Sequence, residues 1–271
     1  MKTTVIMIAS SKGGVGKSTA ALGISKQMAL AGESVLLCDL DFGNACLDIL
    51  LGVEDKVLYT VSDVAKKHCK AENALISDSE TGIAGLMLLP CPAGGAIRVE
   101  DSESAKTVSP TSVIDAVKSV AEVSNCRYVV IDTGAGVSPL TDVAAAYADC
   151  VLVVASHNPI SLRAAEGTVS RFSEAGISDI RLVVNSFEAE ATLKRKGPRK
   201  SLLDIIDMSR APLAGVVPYD YSLLLSHEGV GKRANESDNA FRNIAYRLMG
   251  QDVPIFSGLK KIRKQRKKLY Q

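Results

Sequence analysis

The segment 10–19, SSKGGVGKST, constrains the fold more than any other part of this 271-residue chain. An apolar run, TVIMIA, precedes it and an alanine- and leucine-rich stretch follows it, so the segment joins a buried strand to a helix. A glycine-rich loop in that position lets backbone N–H groups surround phosphate oxygens, while a lysine neutralises them and a hydroxyl binds Mg²⁺. The sequence therefore predicts a phosphate-binding P-loop after the first strand.

The residues of this loop have separate predicted roles. Lys17 carries the charge that binds phosphate, and Ser18 is the Mg²⁺ ligand. The rest of the predicted nucleotide-binding segment consists of Gly13, Gly14, Val15, Gly16 and Thr19. Two features depart from the usual pattern: Ser11 occupies the position of its first glycine, and Lys12 is an additional lysine.

Short apolar runs alternate with helix-like stretches through the rest of the chain. Strands are predicted at 4–9, 34–38, 85–89, 127–131, 150–155, 181–185 and 213–217, and helices at 17–31, 111–124, 139–147, 160–174, 200–209 and 237–249. The strands are continuously apolar, which is typical of a parallel sheet covered on both faces. We therefore predict the α/β class, with a doubly wound, mostly parallel sheet, helices on both faces, and a polar surface loop at 92–110.

The composition limits the cellular compartments that suit the protein and the kinds of site that it could contain. No run approaches the roughly 18 apolar residues of a membrane span, and the chain opens on a strand-like run without the pattern of a secretory leader. The six cysteines form no CxxC pair and several lie in apolar runs, which favours buried, reduced thiols over a metal site. The three histidines have no clustered partners for a nucleophilic or metal site. We predict a cytoplasmic protein.

Acidic residues follow two of the predicted strands. Asp39 and Asp41 come directly after the strand at 34–38, and Asp132 comes after the strand at 127–131. Ligands of open α/β sheets bind beyond the carboxyl ends of the strands, so these carboxylates are expected beside the P-loop. An aspartate after a strand is also a common turn former. Two such sites in register with a P-loop nevertheless favour a Mg²⁺ site of the Walker B kind.

The string KGGVGKST resembles the deviant Walker A motif of the MinD/ParA family of dimerising ATPases, which have a P-loop NTPase fold of the SIMIBI type. The segment 39–52, DLDFGNACLDILLG, looks like the switch I segment of MinD-type proteins. The segment 129–138, VVIDTGAGVS, looks like switch II of the flagellar-regulator branch, FlhG or FleN. The resemblance implies an ATPase that binds ATP with Mg²⁺ and forms a homodimer when ATP is bound. It also implies slow hydrolysis that a protein partner stimulates, and a role in placing the division site or the flagella.

The same resemblance assigns roles to individual residues. Lys12 reaches across the dimer interface to the partner's nucleotide, so Lys12, Lys17 and Asp41 are the predicted catalytic residues, with Asp41 orienting the attacking water. Asp132 holds Mg²⁺ together with Ser18, and Asp39 lies at the Mg²⁺ end of switch I. The chain departs from its MinD relatives at Cys46, where they carry an asparagine before the Leu-Asp pair.

The base-binding region can also be identified. The strand at 181–185 ends in Asn185-Ser186-Phe187 rather than in the TKxD-like segment with which related GTPases recognise guanine. An asparagine amide can hydrogen-bond the amino group and a ring nitrogen of adenine, which favours ATP. The segment 215–231 resembles the IPxD segment of the family and adds Pro218 and Asp220 to the predicted adenine site; a proline there is also an ordinary strand terminator.

The C-terminal segment is strongly basic. Residues 260–271 carry seven lysines and arginines and no acid, whereas the rest of the chain has 25 basic and 30 acidic residues. On a helix, one stripe would contain Ile255, Leu259, Ile262 and Leu269. A basic amphipathic helix lies in the interface of an anionic membrane, and MinD-type proteins end in such a helix. We predict an ATPase domain at 1–252 and a tail at 253–271, of which residues 255–271 bind the membrane peripherally in the ATP state. A solvated tail and a nucleic-acid-binding patch are the alternatives.

Other functions remain open at the sequence level. A DNA-segregation ATPase of the ParA type would bind DNA non-specifically, and the basic run 194–200 is the best candidate surface. A cofactor-maturation ATPase would need a paired-cysteine metal site, and a capsule-regulator tyrosine kinase would need a C-terminal tyrosine cluster. The sequence contains neither feature.

Overall fold

The computed structural model describes residues 2–95, 97–100, 106–188, 205, 207, 209–220 and 236–255. Its strands are β1 (Thr4–Ala9), β2 (Val35–Leu40), β3 (Leu86–Leu89), β4 (Arg98–Val99), β5 (Thr107–Val108), β6 (Tyr128–Thr133), β7 (Cys150–Ser156), β8 (Ile180–Phe187) and β9 (Leu213–Pro218). Seven of them form one sheet in the order β3-β2-β6-β1-β7-β8-β9. Every pairing in this sheet is parallel, so the carboxyl ends of all seven strands lie at the same edge.

The helices of the described residues connect these strands. They are α1 (Lys17–Leu30), α2 (Leu47–Leu51), α3 (Val61–Ala65), α4 (Asp78–Thr81), α5 (Pro110–Ser124), α6 (Pro139–Tyr147), α7 (Pro159–Glu174) and α8 (Glu236–Leu248). Short 3₁₀ turns lie at Glu54–Lys56, Ala71–Ala74 and Ala93–Gly95. Helices α5, α6 and α7 have clear start signals, a capping side chain followed by a proline. For example, α7 begins with a proline in its first turn after Asn158, whose side-chain oxygen accepts a hydrogen bond of 2.8 Å from the backbone N–H of Ser161.

The sheet is covered on both faces, which explains the continuously apolar strands. Helices α1 and α8 pack on one face, where Phe241 and Ile244 lie among the buried residues of α1 and the sheet. Helices α5, α6 and α7 pack on the other face. The predicted doubly wound α/β architecture is therefore confirmed. A strand with helices on both sides has no polar face, which accounts for the continuous apolar runs.

The predicted elements agree closely with the structure where it describes them. All seven predicted strands are present, and five of the six predicted helices end within one residue of the prediction. Of the helix at 200–209, the described residues 205, 207 and 209 are helical. The described residues of the stretch 92–110, which was predicted to be a surface loop, include the short strands β4 and β5; these pair in parallel, and Val108 is buried. Two-residue strands are too short to produce a periodicity in the sequence.

The chain after α8 folds back onto the domain. The Arg247 guanidinium donates a hydrogen bond of 3.0 Å to the carbonyl oxygen of Val253, and the Asn243 amide donates one of 3.2 Å to that of Pro254. Ile255, the first residue of the predicted membrane stripe, packs against the core. Residues 256–271, which contain the rest of the stripe, and the basic run 194–200 lie outside the described residues. Within the described ranges, no helix is long and apolar enough to cross a membrane.

Candidate active site

The P-loop lies between β1 and α1 and has the backbone of a phosphate-binding loop. Gly14 and Gly16 have φ angles of +72° and +88°, in the left-handed region that favours glycine. A Cβ atom placed on Gly13 or Gly14 would meet no atom within 4 Å, so a ligand can approach this backbone closely. No side chain of the described residues caps the start of α1 at Gly16. Its N–H groups and the positive end of its dipole are therefore available to an anion.

The two lysines of the loop have different environments. Lys17 is buried at the first position of α1, whereas Lys12 is exposed. The Ser10 hydroxyl donates a hydrogen bond of 2.8 Å to the carbonyl oxygen of Lys12. The Ser11 hydroxyl donates one of 2.7 Å to the carbonyl oxygen of Ala164 in α7. These bonds fix the loop backbone, and among the described residues no side chain pairs with the Lys12 ammonium.

Asp132 is a fully buried carboxylate beside the P-loop. Its side chain has an exposed fraction of 0%, and neither oxygen has a hydrogen bond of good geometry to a described residue. Burial raises the pKa of Asp132 to about 7; the nearby Asp39 adds to this shift, while the Ser18 hydroxyl and the Lys17 ammonium lie close enough to oppose it. An unpaired buried carboxylate is costly in a folded protein, so its position next to Ser18 and Lys17 indicates a ligand site.

Asp39 lies opposite Asp132, since the two residues pair in register on neighbouring strands β2 and β6. Its oxygens accept hydrogen bonds of 3.0 Å from the N–H of Asp41, 3.0 Å from that of Cys46 and 3.1 Å from that of Leu47. Burial raises the pKa of Asp39 to about 6, against the lowering effect of these bonds. In this conformation Asp39 thus holds together the segment that resembles switch I.

Asp41 connects the two segments that resemble switches. One of its oxygens accepts hydrogen bonds of 3.2 and 3.0 Å from the backbone N–H groups of Gly43 and Asn44. A Cβ atom on Gly134 would lie 3.4 Å from the same oxygen, so Asp41 lies against the loop after β6. That loop is itself joined to the P-loop, because the N–H of Gly136 donates a hydrogen bond of 2.9 Å to the carbonyl oxygen of Ser10. The predicted catalytic carboxylate and the two segments that resemble switches therefore converge at the P-loop.

Cys46, the departure from the family pattern, also lies at this end of the sheet. Burial raises the pKa of its half-buried thiol, the neighbouring Ser18 hydroxyl lowers it, and the carboxylates Asp39, Asp132 and Asp41 raise it further. The thiol is therefore close to the predicted Mg²⁺ ligands. Only the comparison with the family motif singles out this position in the sequence.

The three predicted adenine residues have different surroundings. The Asn185 amide donates a hydrogen bond of 2.8 Å to the carbonyl oxygen of Val15, inside the P-loop. Pro218 ends β9 opposite Phe187 of β8. Asp220 accepts a hydrogen bond of 3.0 Å from the Ser237 hydroxyl and so joins the end of β9 to the start of α8. The structure brings Asn185 to the P-loop, and it gives the Asp220 carboxylate a partner in the last helix.

Sequence reasoning missed His157, which is buried next to Asn185. Its ring stacks on Phe187 with the ring centroids 4.5 Å apart. Its backbone N–H donates a hydrogen bond of 3.2 Å to the carbonyl oxygen of Asn185. A single histidine after an apolar strand carries no recognisable pattern, so only the three-dimensional structure identifies this neighbour.

The residues at this site fit Mg²⁺ and a nucleotide phosphate. Mg²⁺ prefers oxygen ligands and is usually held by one or two protein groups together with waters and phosphates. Ser18 and the unpaired Asp132 supply such oxygens beside a backbone suited to phosphate. Among the described residues there is no group of three or more His, Cys, Asp or Glu side chains that could hold a metal ion.

Comparisons with known proteins find relatives over most of the chain. A family profile described as an AAA domain matches residues 3–182. The septum site-determining protein MinD of Synechocystis is 31% identical over 256 residues, which cover 93% of this chain and 91% of that protein.

Solved structures of MinD proteins have the same fold as this chain. A chain of the MinC:MinD cell division protein complex of Aquifex aeolicus superposes with a TM-score of 0.80 at 27% identity, covering 93% of this chain and 98% of that one. MinD of Pyrococcus horikoshii, solved with Mg-ADP, shares the fold with a TM-score of 0.73 at 23% identity, covering 91% and 96%.

Proposed function

The chain belongs to the MinD/ParA family of P-loop ATPases, and from that premise we propose that it is a switch ATPase that dimerises around Mg·ATP and helps to determine the site of cell division. The relatives named for septum-site determination support the cellular role, and the relative solved with Mg-ADP supports the ligand. The placement of flagella, which switch II suggested, remains a prediction.

The residues of the chain divide the chemistry of the site between them. The glycine-rich backbone and Lys17 bind the phosphates, while Ser18 and Asp132 hold Mg²⁺. When bound, Mg²⁺ neutralises the charge that develops on the phosphate oxygens. Asp41 orients the attacking water from its position between the two switches. Loss of the γ-phosphate would release these segments, which gives the protein two states.

One observation carries the proposal that the site is completed by a second subunit. The loop has a buried lysine at the phosphate-binding position, Lys17, and a second lysine, Lys12, that is exposed on a fixed backbone. A lysine that only capped its own loop would need a partner nearby, and the described residues provide none. In a two-fold dimer Lys12 would supply positive charge to the partner's phosphates, as an arginine finger does.

Exposed apolar residues flank the same opening. Val137 follows Gly136, which is bonded to Ser10, and has an exposed fraction of 62%. Ile160 lies in the first turn of α7, the helix bonded to Ser11, and has an exposed fraction of 72%. In a dimer whose interface includes this opening, both apolar side chains would be removed from water. We assign these two residues to the dimer interface around Lys12.

Complementation between two inactive variants tests this proposal. A Lys12→Ala subunit keeps Asp41 in its own site but gives its partner no lysine, whereas an Asp41→Ala subunit has an inactive site but still supplies Lys12. If Lys12 acts across the interface, each mixed dimer has one complete site, and an equimolar mixture recovers about a quarter of wild-type ATP hydrolysis through random pairing in a two-fold dimer. The two separate variants remain inactive.

If Lys12 acts within its own subunit, no mixed dimer has a complete site and the mixture stays inactive. That result would contradict the proposed dimer mechanism. Co-purification of the untagged variant with the other variant, tagged, in the presence of Mg·ATP verifies that mixed dimers form, so the absence of activity can be assigned to the chemistry. Equimolar mixtures of each variant with the wild-type chain measure the hydrolysis that random pairing alone produces.

We further propose that the ATP dimer binds anionic membranes peripherally through the predicted tail. The seven basic residues at 260–271 and the apolar Leu259, Ile262 and Leu269 support this, and pairing two weak anchors can raise avidity by about 10²-fold or more. Pelleting with anionic vesicles, compared with a DNA shift assay, separates this proposal from DNA binding of the ParA type. Binding to DNA and not to vesicles would favour the alternative. Stimulation by a protein partner remains part of the proposal.

A further inference from the structure

We infer that Asn185 is a positioning residue, whose amide holds the P-loop in the conformation that binds phosphate. This inference rests on the proposed function, since it assumes that the P-loop binds nucleotide phosphates. It gives Asn185 a role that does not depend on contact with the base. The residue lies 170 positions from Val15 in the chain, yet its side chain is bonded to the middle of the loop.

The contact between Asn185 and the P-loop is short and buried. The Nδ2 atom of Asn185 lies 2.8 Å from the carbonyl oxygen of Val15, and Asn185 is only 8% exposed. A carbonyl oxygen can only accept, so the amide must present its nitrogen to the loop. The same nitrogen lies against the α-carbon of Gly16, where a Cβ atom would overlap it. Asn185 therefore holds both residues that precede Lys17.

The backbone around Asn185 is shaped to make this contact. Strand β8 contains one more residue than β9 between the pairs Val184–Val216 and Phe187–Pro218, which defines a bulge. Ser186, within this bulge, has a φ angle of +53°, a left-handed value that costs free energy in a residue other than glycine. The N–H of His157 holds the bulge from the neighbouring strand through the carbonyl oxygen of Asn185. Bulges redirect a side chain at functional sites.

The hydrogen bond from Asn185 should strengthen phosphate binding by the P-loop. Val15 and Gly16 present the backbone that surrounds the phosphate groups, and Gly16 stands directly before Lys17. Without the Asn185 amide, the buried carbonyl oxygen of Val15 would lack this donor and the loop would sample other conformations. A loop that is competent only part of the time binds its ligand more weakly in proportion to that fraction. Phosphate affinity should fall even for a ligand that has no base.

Calorimetry with Mg·tripolyphosphate and with Mg·ATP tests this inference on the full chain. Asn185→Ala should weaken the binding of both ligands by about tenfold, in keeping with the loss of one buried hydrogen bond. Asn185→Asp, which has the same shape but faces the carbonyl of Val15 with an oxygen, should weaken both at least as much. The matched control is Asn243→Ala, since Asn243 is also buried and its amide also donates to a carbonyl, that of Pro254. Asn243→Ala should lower the thermal midpoint and leave tripolyphosphate affinity unchanged.

The outcomes separate the two possible roles of Asn185. A fall in tripolyphosphate affinity supports the positioning role, and any additional loss with ATP measures a separate contact with the base. Tripolyphosphate binding within twofold of wild type in both Asn185 variants, with ATP binding reduced, would overturn the inference and make Asn185 a base-binding residue alone. If the wild-type chain binds neither ligand, the proposed function fails first. Thermal melts of both variants verify that they are folded.

Discussion

Replacing Asp132 by asparagine should stabilise the ligand-free protein and weaken its binding of Mg²⁺ and nucleotide. The Asp132 carboxylate is fully buried and has no hydrogen bond of good geometry to a described residue, and burial raises its pKa from 3.8 to about 7. Asparagine has nearly the same shape and no charge. A carboxylate that is kept for Mg²⁺ binding should therefore cost stability whenever Mg²⁺ is absent.

The size and the sign of the change in the free energy of unfolding follow from the pKa shift of Asp132. A pKa that rises from 3.8 to about 7 on folding corresponds to about 4 kcal/mol above pH 7. The buried amide of the variant has a cost of its own, about 1–3 kcal/mol, so the expected net gain at pH 8 is about 1–3 kcal/mol. Because the folded state holds the proton more tightly, wild-type stability falls as the pH rises from about 4 to 7. The advantage of the variant should accordingly shrink by roughly 2–3 kcal/mol between pH 8 and pH 5.

Urea unfolding at pH 8 and pH 5, with a chelator and without nucleotide, measures this difference. Asp149→Asn is the matched control, since Asp149 lies at the opposite end of the sheet, where it accepts a hydrogen bond from the Val5 N–H and pairs with Lys2. It should show no gain at pH 8. Added Mg·ADP should reverse the order by stabilising wild type more than Asp132→Asn. If Asp132→Asn is less stable than wild type at pH 8 without Mg²⁺, the carboxylate is a structural group and the reasoning is refuted.

Three further predictions concern hydrolysis, assembly and the tail. Asp41→Ala should keep the ATP-bound dimer and lose hydrolysis, because only the orientation of water is removed; a solely monomeric variant in size-exclusion chromatography with ATP would argue against this role. Ile160→Glu should prevent ATP-dependent dimerisation and leave ATP binding by the monomer intact, whereas Leu30→Glu, at an equally exposed apolar position near the end of α1, should dimerise normally; equal dimerisation by both variants would remove Ile160 from the interface. Replacing Leu259 and Ile262 together by Glu should abolish pelleting with anionic vesicles at moderate salt while ATP binding persists, and continued pelleting would mean that the basic residues alone bind the surface.

The sequence predicted best what is local in the chain. Each strand of the main sheet is a continuous apolar run of its own, and the P-loop is a contiguous motif between a strand and a helix, so both could be located without tertiary information. The position of Asp132 beside the P-loop followed from one topological rule, since parallel strands end at the same edge of the sheet.

The remaining features depend on contacts between distant segments. The Asn185 amide was predicted to be a base-binding group because an amide suits adenine. Its hydrogen bond to Val15 depends on a bulge in β8, and no residue pattern in the sequence predicts that bulge. The packing of Ile255 against the core was missed for a similar reason. Helical spacing groups it with the tail, whereas the Asn243 and Arg247 side chains of α8 donate hydrogen bonds to the backbone just before Ile255 and hold it at the domain.

Sedimentation velocity of the full chain shows whether bound ATP controls dimerisation. The measurement compares a non-hydrolysable ATP analogue with ADP, each with Mg²⁺ and at the same protein concentration. We expect twice the chain mass of 28.6 kDa with the ATP analogue and the mass of a single chain with ADP. The same mass in both nucleotide states would rule out ATP-controlled dimerisation, because Lys12 would then have no ATP-dependent partner site to complete.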